Sequence, residues 1–139
     1  MTRVVRISEV SARLVPHRWE WAEENAGPIA DHWARRRAAR PALFNGRVLM
    51  LAGLEFEGTT CEARFFETDY AAVIAWLDLD RPGEPVLNGF AMGALQGRDG
   101  GFILGRMAPH TANAGQLYFP AGTPDRSDVT DAGEVDLAG

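Results

Sequence analysis

RVLMLAGLEFEGTTCEARFFETDYAAVIAWLDL, residues 47–79, reads as two strands and a helix in one unbroken run. Arg47 to Glu57 has the texture of a strand, with Val48, Met50 and Leu54 among its apolar residues. Gly58-Thr59 turns the chain, and Cys61 to Phe66 follows as the antiparallel partner. Thr68 or Asp69 stands where a cap is needed for a helix from Tyr70 to about Leu79, on which Ala72, Val73, Trp76 and Leu77 share the inward face. A hairpin that runs directly into an apolar-faced helix predicts an α+β fold.

Upstream of this run, Asn45-Gly46 is a turn signal. Arg18 to Arg40 reads as helical, with Trp19, Ala22, Ala26, Ile29, Ala30 and Trp33 at three- and four-residue steps on one face. Gly27-Pro28 interrupts the pattern. Proline has no N–H to donate and clashes with the preceding turn, so two helices or a kink are expected there. Pro28 and Asp31 near the start of the second piece, and Arg35, Arg36, Arg37 and Arg40 near its end, suit the helix dipole at both ends. Pro41 then stops it. Before the helices, Val4, Val5 and Ile7, and then Val10 to Val15, read as short strands that Pro16 ends.

Downstream, Arg81 to Pro85 is a loop. Phe90, Met92, Ala94 and Leu95 read as a buried strand, Gly97-Arg98-Asp99-Gly100-Gly101 as a hairpin turn, and Phe102 to Met107 as the return strand. Pro109 to Gly115 is a loop and Leu117 to Phe119 a short strand. Asp125 to Glu134 is polar and net negative, and is expected to be mobile. The chain thus divides into residues 1–86, an α+β unit, and residues 87–139, a hairpin, a further strand and a tail.

At 139 residues the chain fits one domain, or one and an unfinished part of a second. The formal net charge of −5 argues against nonspecific nucleic-acid binding, which needs a basic surface to displace counterions. It leaves room for a small phosphorylated ligand, which needs only a local positive site. Cys61 is the single cysteine, so no intramolecular disulfide and no four-cysteine zinc site can form. With no histidine near it, it reads as a packed small hydrophobe. His17, His32 and His110 are too dispersed to add a metal set. Trp19, Trp21, Trp33 and Trp76 read as core, with a nucleobase platform as the sharper alternative. Residues 1–15 lack the apolar run of a signal peptide, and no stretch is long and apolar enough to span a bilayer. The expectation is a cytoplasmic protein with neither a nucleic-acid nor a membrane partner.

Several stretches, in order, carry a family resemblance. Gln116-Leu117-Tyr118-Phe119-Pro120-Ala121-Gly122-Thr123-Pro124-Asp125 resembles the strand and glycine turn that open the signature of the Nudix hydrolases, with Gly122 at the opening glycine. Phe90 to Leu95 and Phe102 to Arg106 are similar to that family's first strands. His32-Trp33, Arg36 or Arg37, and Pro41-Ala42-Leu43-Phe44-Asn45-Gly46 resemble the N-terminal region of a Nudix branch that includes an animal UDP-sugar hydrolase. Phe65 to Trp76, with Thr68-Asp69-Tyr70 inside it, fits the same branch. The order of these motifs is more specific than any one of them.

The resemblance implies an α+β architecture in which an N-terminal extension of helices and antiparallel strands, residues 1–86, packs beside the first strands of a Nudix-like mixed sheet, residues 87–139. It implies hydrolysis of a nucleoside diphosphate linked to another moiety, such as a nucleotide sugar, by metal-activated water. In the family the glycine turn leads into a helix reading R-E-U-x-E-E-x-G-U, U being a bulky aliphatic residue, whose glutamates hold the metal. No such run occurs in these 139 residues. Counted strictly, the first acidic position of the signature falls on Asp128 and the helix motif begins at Asp136, where Asp136-Leu137-Ala138-Gly139 matches neither the arginine nor the glutamate. The preferred alignment has a longer loop after Gly122, Asp136 at the helix entry and the glutamate pair beyond residue 139.

Mg²⁺ is therefore implied for the complete family enzyme and not for this chain alone, which is expected to be inactive and in which no catalytic residue or metal ligand is assigned. The substrate-binding candidates are Arg106, His110, Asn113 and Tyr118, with Pro120 and Gly122 at the entry to the signature. Arg98 reads as solvated. The implied partner is a nucleotide-type small molecule. The alternative is a non-catalytic, nucleotide-binding or dimerising protein derived from the same fold, a homodimer pairing through exposed sheet edges.

Overall fold

In the computed structural model, which describes residues 3–111 and 113–138, the elements in order are β1 (Glu9–Leu14), α1 (Glu20–Glu24), α2 (Ala26–Ala39), β2 (Arg47–Glu57), β3 (Thr60–Asp69), α3 (Tyr70–Asp78), β4 (Gly105–Arg106) and β5 (Leu117–Tyr118), with one 3-10 turn at Arg126–Asp128. The fold is α+β. Its main sheet has the order β1-β3-β2. β2 and β3 form the expected antiparallel hairpin through Gly58, whose φ of 59° suits glycine. The ladder shifts register between Leu51 and Gly53, a bulge that leaves Ala52 unpaired. β1 pairs with β3 in parallel, so the N-terminal unit carries a mixed sheet rather than antiparallel strands alone. A parallel pair needs a long crossover, and α1, α2 and β2 supply it.

The strand expected at Val4, Val5 and Ile7 does not form; pairing begins at Ser8, whose N–H donates to Thr59 O at 2.8 Å. The helical segment does break into two pieces, but at Asn25 rather than at Gly27-Pro28. Pro28 falls in the first turn of α2, where its missing N–H has no intrahelical partner to lose. Asn25 holds the joint: its side-chain amide donates to Trp21 O at 2.8 Å and its carbonyl accepts from Ile29 N–H at 2.9 Å.

Neither Thr68 nor Asp69 caps α3 with its side chain. Asp69 makes no cap bond, because its carboxylate is 3.0 Å from the Arg47 guanidinium. Asn45 Oδ1 takes the Ala71 N–H instead, at 2.8 Å, and Gly46 O takes that of Tyr70. The turn that ends one segment thereby starts the next helix.

Both faces of the sheet are covered. Met50 and Phe66 point to the helices, where they meet Trp19, Ile29, Val73 and Trp76. Leu49, Leu51, Ala63 and Phe65 point the other way and meet Ala12 and Val135. Each fully buried large side chain contributes about 1.5–3 kcal/mol to stability. The second cover comes from the tail, which the sequence led us to expect as mobile. Asp125 and Asp128 form a reciprocal capping box over the 3-10 turn. Val129 bridges to Val135, and Val135 N–H donates to Ala12 O at 2.9 Å. The apolar residues of the tail, Val129, Val135 and Leu137, are few but all face Phe65 and its neighbours. Residues 135–138 show no helical turn, contrary to the expected helix entry.

The tail and the segment after α3 also occupy part of each edge of the sheet. Gly133 O accepts from Leu14 N–H on the β1 side. On the β2 side Leu51 exchanges hydrogen bonds with Leu87, and Pro124 O accepts from Leu49 N–H at 2.8 Å.

Residues 88–123 are different. The hairpin turn at Gly97–Gly101 is present, Gly97 N–H donating to Gly101 O at 2.8 Å. The flanking strands shrink to β4 and β5 and to single bridges at Met92–Ala121 and Gln96–Phe102. The strand expected to be buried is exposed: Phe90, Met92 and Leu95 keep 47%, 51% and 55% of their surface. Apolar side chains report that a surface gains by being covered, but cover needs a facing element, and among the described residues none lies over this one.

Candidate functional site

The residues expected to act on a ligand gather around Gly122 and Thr123, where three cavities meet. The first, about 350 Å³, has Phe90, Met92 and Tyr118 as walls and Asn88, Asn113 and Gln116 as its amide groups. The second, about 470 Å³, lies on the other side of the turn and is lined by Pro120, Pro124, Asp128 and Asp136, among others. The third, about 380 Å³, opens between the helices and the loop and is lined by Arg36, Arg40, Tyr70, Asn88, Asn113 and Thr123. Gly122 borders the first two cavities and Thr123 all three. The first and third share Asn88, Asn113 and Thr123 in their linings.

Local structure explains the convergence. β5 pairs with β4 so that Tyr118 stands opposite Gly105 and Leu117 opposite Arg106. Gly115, at φ 82°, and the Gly115 N–H bond to Met107 O at 2.9 Å close the loop between them and bring Asn113 back beside Tyr118. Of the six residues singled out from the sequence, Asn113, Tyr118 and Gly122 share the first cavity, and Pro120 and Gly122 share the second. Arg106 is exposed on β4 and His110 is exposed in the loop; neither lines these cavities. Ala112, in the same loop, lies outside the described residues. Sequence reasoning missed Asn88, Arg40 and Tyr70 as cavity walls; Arg36, which with Arg35 and Arg37 reads from the sequence as a solvated helix end or, less simply, an anion site, lines the third cavity. The end of α2 and the loop at 108–116 are joined only in space, by the Arg40 Nη1 bond to Thr111 O at 3.2 Å.

The electrostatics of the third cavity turn on Asp78. Its carboxylate receives Arg36 Nε at 2.9 Å and lies 2.8 Å from His32 Nε2. Burial pushes the Asp78 carboxyl up, but the bonds from Arg36 and His32 outweigh it and hold the group below its ordinary value. Arg36 is thus neutralised within the fold. Arg40 has no carboxylate within ion-pair distance among the described residues.

Among the described residues no group of three or more His, Cys, Asp or Glu is placed to hold a metal ion. Asp128 and Asp136 both reach the second cavity, but Asp128 Oδ2 accepts the Asp125 N–H at 2.8 Å and Asp136 Oδ1 that of Ala138 at 3.0 Å. Two carboxylates held to their own backbone do not by themselves make the near-octahedral cage that Mg²⁺ requires.

A further cavity of about 470 Å³ lies between α1, α2 and β3, floored by Trp19, Ile29 and Phe66. Its rim charges compensate one another, Arg47 pairing with both Glu67 and Asp69. The hydrogen bond that Arg47 donates to Asp69, against the cost of burial, raises Arg47 above its ordinary value. Trp19 stacks edge-on against Phe66 and Trp76 at 5.9 Å, as core rings do. Cys61 is buried, and burial alone pushes its thiol up, away from the thiolate a nucleophile needs. The described helices include none long and apolar enough to cross a membrane.

Comparison of the chain with protein-family models, with curated proteins and with solved structures returns no match.

Proposed function

We propose that this chain carries the ligand-facing part of a Nudix-type pyrophosphohydrolase, one that cleaves a nucleoside diphosphate linked to another moiety, such as a nucleotide sugar. The observation that carries the reading is that Gly122, matched to the opening glycine of the signature, borders one cavity with both Asn113 and Tyr118. That cavity combines aromatic and thioether walls with a few amides, a lining suited to a base or sugar: apolar faces take the ring and amides read its polar edge. Asn88, Asn113 and Gln116 can each donate and accept there. The reaction is attack of water on one phosphorus of the diphosphate, with cleavage of the phosphoanhydride bond and departure of the other phosphate. The carboxylates that hold the family's metal are not among these 139 residues, so the chain's own part is to bind and orient. A cytoplasmic location belongs to the same reading.

Two measurements test it. Phosphate-ester release from UDP-glucose with Mg²⁺ should be at background for the purified chain, and steady turnover would overturn the division of labour. Sequencing the gene past the codon for Gly139 should reveal an in-frame R-E-U-x-E-E-x-G-U run; a different continuation removes the hydrolase reading.

A second reading, self-association without catalysis, draws on the exposed apolar side chains Phe90, Met92, Leu95, Phe102, Ile103 and Leu104. Part of each edge of the main sheet is taken up by the chain itself, so such a dimer would draw on these side chains. Light scattering decides it: a monomer at high concentration leaves the reading without support.

A further inference from the structure

We infer that Arg40 is a phosphate-binding residue, holding the diphosphate of a nucleotide-type ligand in the groove where the first and third cavities meet. The inference rests on the nucleotide reading above and adds a role for the N-terminal helical unit. Three observations carry it.

The first is charge. The charged side chains lining the third cavity are Arg36, Arg40 and Asp78, with His32 touching Asp78 from behind. Arg36 is tied to Asp78. Among the described residues Arg40 has no carboxylate within ion-pair distance, and its single described side-chain bond goes to a neutral carbonyl, Thr111 O. A guanidinium has five N–H donors in a planar fork. One bond to a carbonyl leaves enough of them for the two-point recognition of a phosphate that this fork favours.

The second is position. Arg40 is the C-terminal cap residue of α2, its N–H donating to Arg36 O. The bond to Thr111 draws its side chain across to the 108–116 loop, so the cation stands where the helical unit meets the segment bearing Asn113 and Tyr118. The partial negative charge of a helix end disfavours a bound anion, and a guanidinium at that end offsets it.

The third is continuity. The third cavity, with Arg40 and Tyr70, shares Asn88, Asn113 and Thr123 with the first, whose apolar walls are Phe90, Met92 and Tyr118. Together they are cationic at one end, amide-lined in the middle and aromatic at the other. A phosphate, a ribose and a base present the same sequence of chemistries.

The test is calorimetric titration of the full chain with UDP, inorganic pyrophosphate and uridine. Arg40→Gln removes the charge while keeping a donor for Thr111 O, and thermal melting confirms that it folds. Arg37→Ala, one turn away and lining none of the cavities, is the control for general loss of positive charge. UDP and pyrophosphate should bind Arg40→Gln at least about tenfold more weakly than wild type, since charge-assisted hydrogen bonds are lost, with uridine and the Arg37→Ala chain unchanged. If Arg40→Gln binds UDP as wild type does, the role of Arg40 is wrong and the nucleotide reading stands. If wild type binds none of the three probes at millimolar concentration, the nucleotide reading itself falls and the inference with it.

Discussion

Residues 9–87 with the tail at 124–138, and residues 88–123, are made from similarly apolar sequence and end in opposite states. In the first region β2 and β3 pair along nearly their whole length, and Phe65 and Phe66 are each 2% exposed on opposite faces of one strand. In the second the ladder is two residues long, and Phe102 and Ile103 are 56% and 58% exposed. The difference lies in facing elements. α1, α2 and α3 cover one side of the sheet and the tail covers the other, whereas among the described residues the hairpin at 90–107 has one ring contact, Phe119 on Phe102 at 5.7 Å, and a few backbone bonds to 116–121. A two-stranded ribbon on its own is marginal in water. The groove argued above as a ligand site lies along the seam between a well-packed unit and a loosely covered one, where local opening costs least.

The largest expected effect breaks or confirms this contrast directly. Phe66→Ala should destabilise by about 3–5 kcal/mol, as removal of a fully buried phenyl ring does. Phe102→Ala should cost only about 1 kcal/mol, the scale of one edge-to-face ring contact. Urea denaturation of the two variants measures both. Equal losses would mean that the 88–123 segment has a core of its own and that the contrast is false.

The tail sharpens the comparison from the other side. Val135→Ala should destabilise by about 2 kcal/mol, because Val135 is 5% exposed against Leu49, Leu51 and Phe65. A solvated tail would leave stability unchanged within about 0.5 kcal/mol. The same denaturation experiment reads it.

These elements also mark what was legible in the sequence. β2, the turn at Gly58, β3 and α3 could be read because each is specified locally, by alternation, by a turn residue or by three- and four-residue spacing. The cap of α3 is not legible locally: the nearest polar residue, Asp69, is held by Arg47, and the cap comes from Asn45. The order of the tail is hidden in the sequence for a related reason. Its average composition is polar, and only its register against β1, laid down more than a hundred residues earlier, shows that Val135 has somewhere to go. The candidate site divides in the same way. Asn113, Tyr118 and Gly122 come together because one short hairpin loop joins them. Arg40 and Asn88 join them only through tertiary packing, which spacing along the chain does not encode.

The smallest effect concerns the ion pairs that tie α2 to α3 and thereby set one wall of the groove. Asp78 is pushed up by burial but held lower, on balance, by Arg36 and His32. Its folded value therefore lies below the unfolded one, near 3.9. A group depressed in this way stabilises the fold fully above the unfolded value, and the contribution disappears as pH falls through the folded one. The stability difference between wild type and Asp78→Asn should accordingly be steady near about pH 5 and shrink toward about pH 3 as the carboxylate takes up its proton. Because the side chain is 36% exposed, solvent screens the pairs, and the difference should stay below about 1 kcal/mol. Thermal melts of both proteins across that range measure it. A difference that does not change with pH would assign the tie to neutral hydrogen bonds and packing, and Arg36 would then no longer be neutralised by its partner. The positive charge of the groove would belong to Arg36 and Arg40 together, and Arg36→Gln would be expected to weaken pyrophosphate binding as Arg40→Gln does.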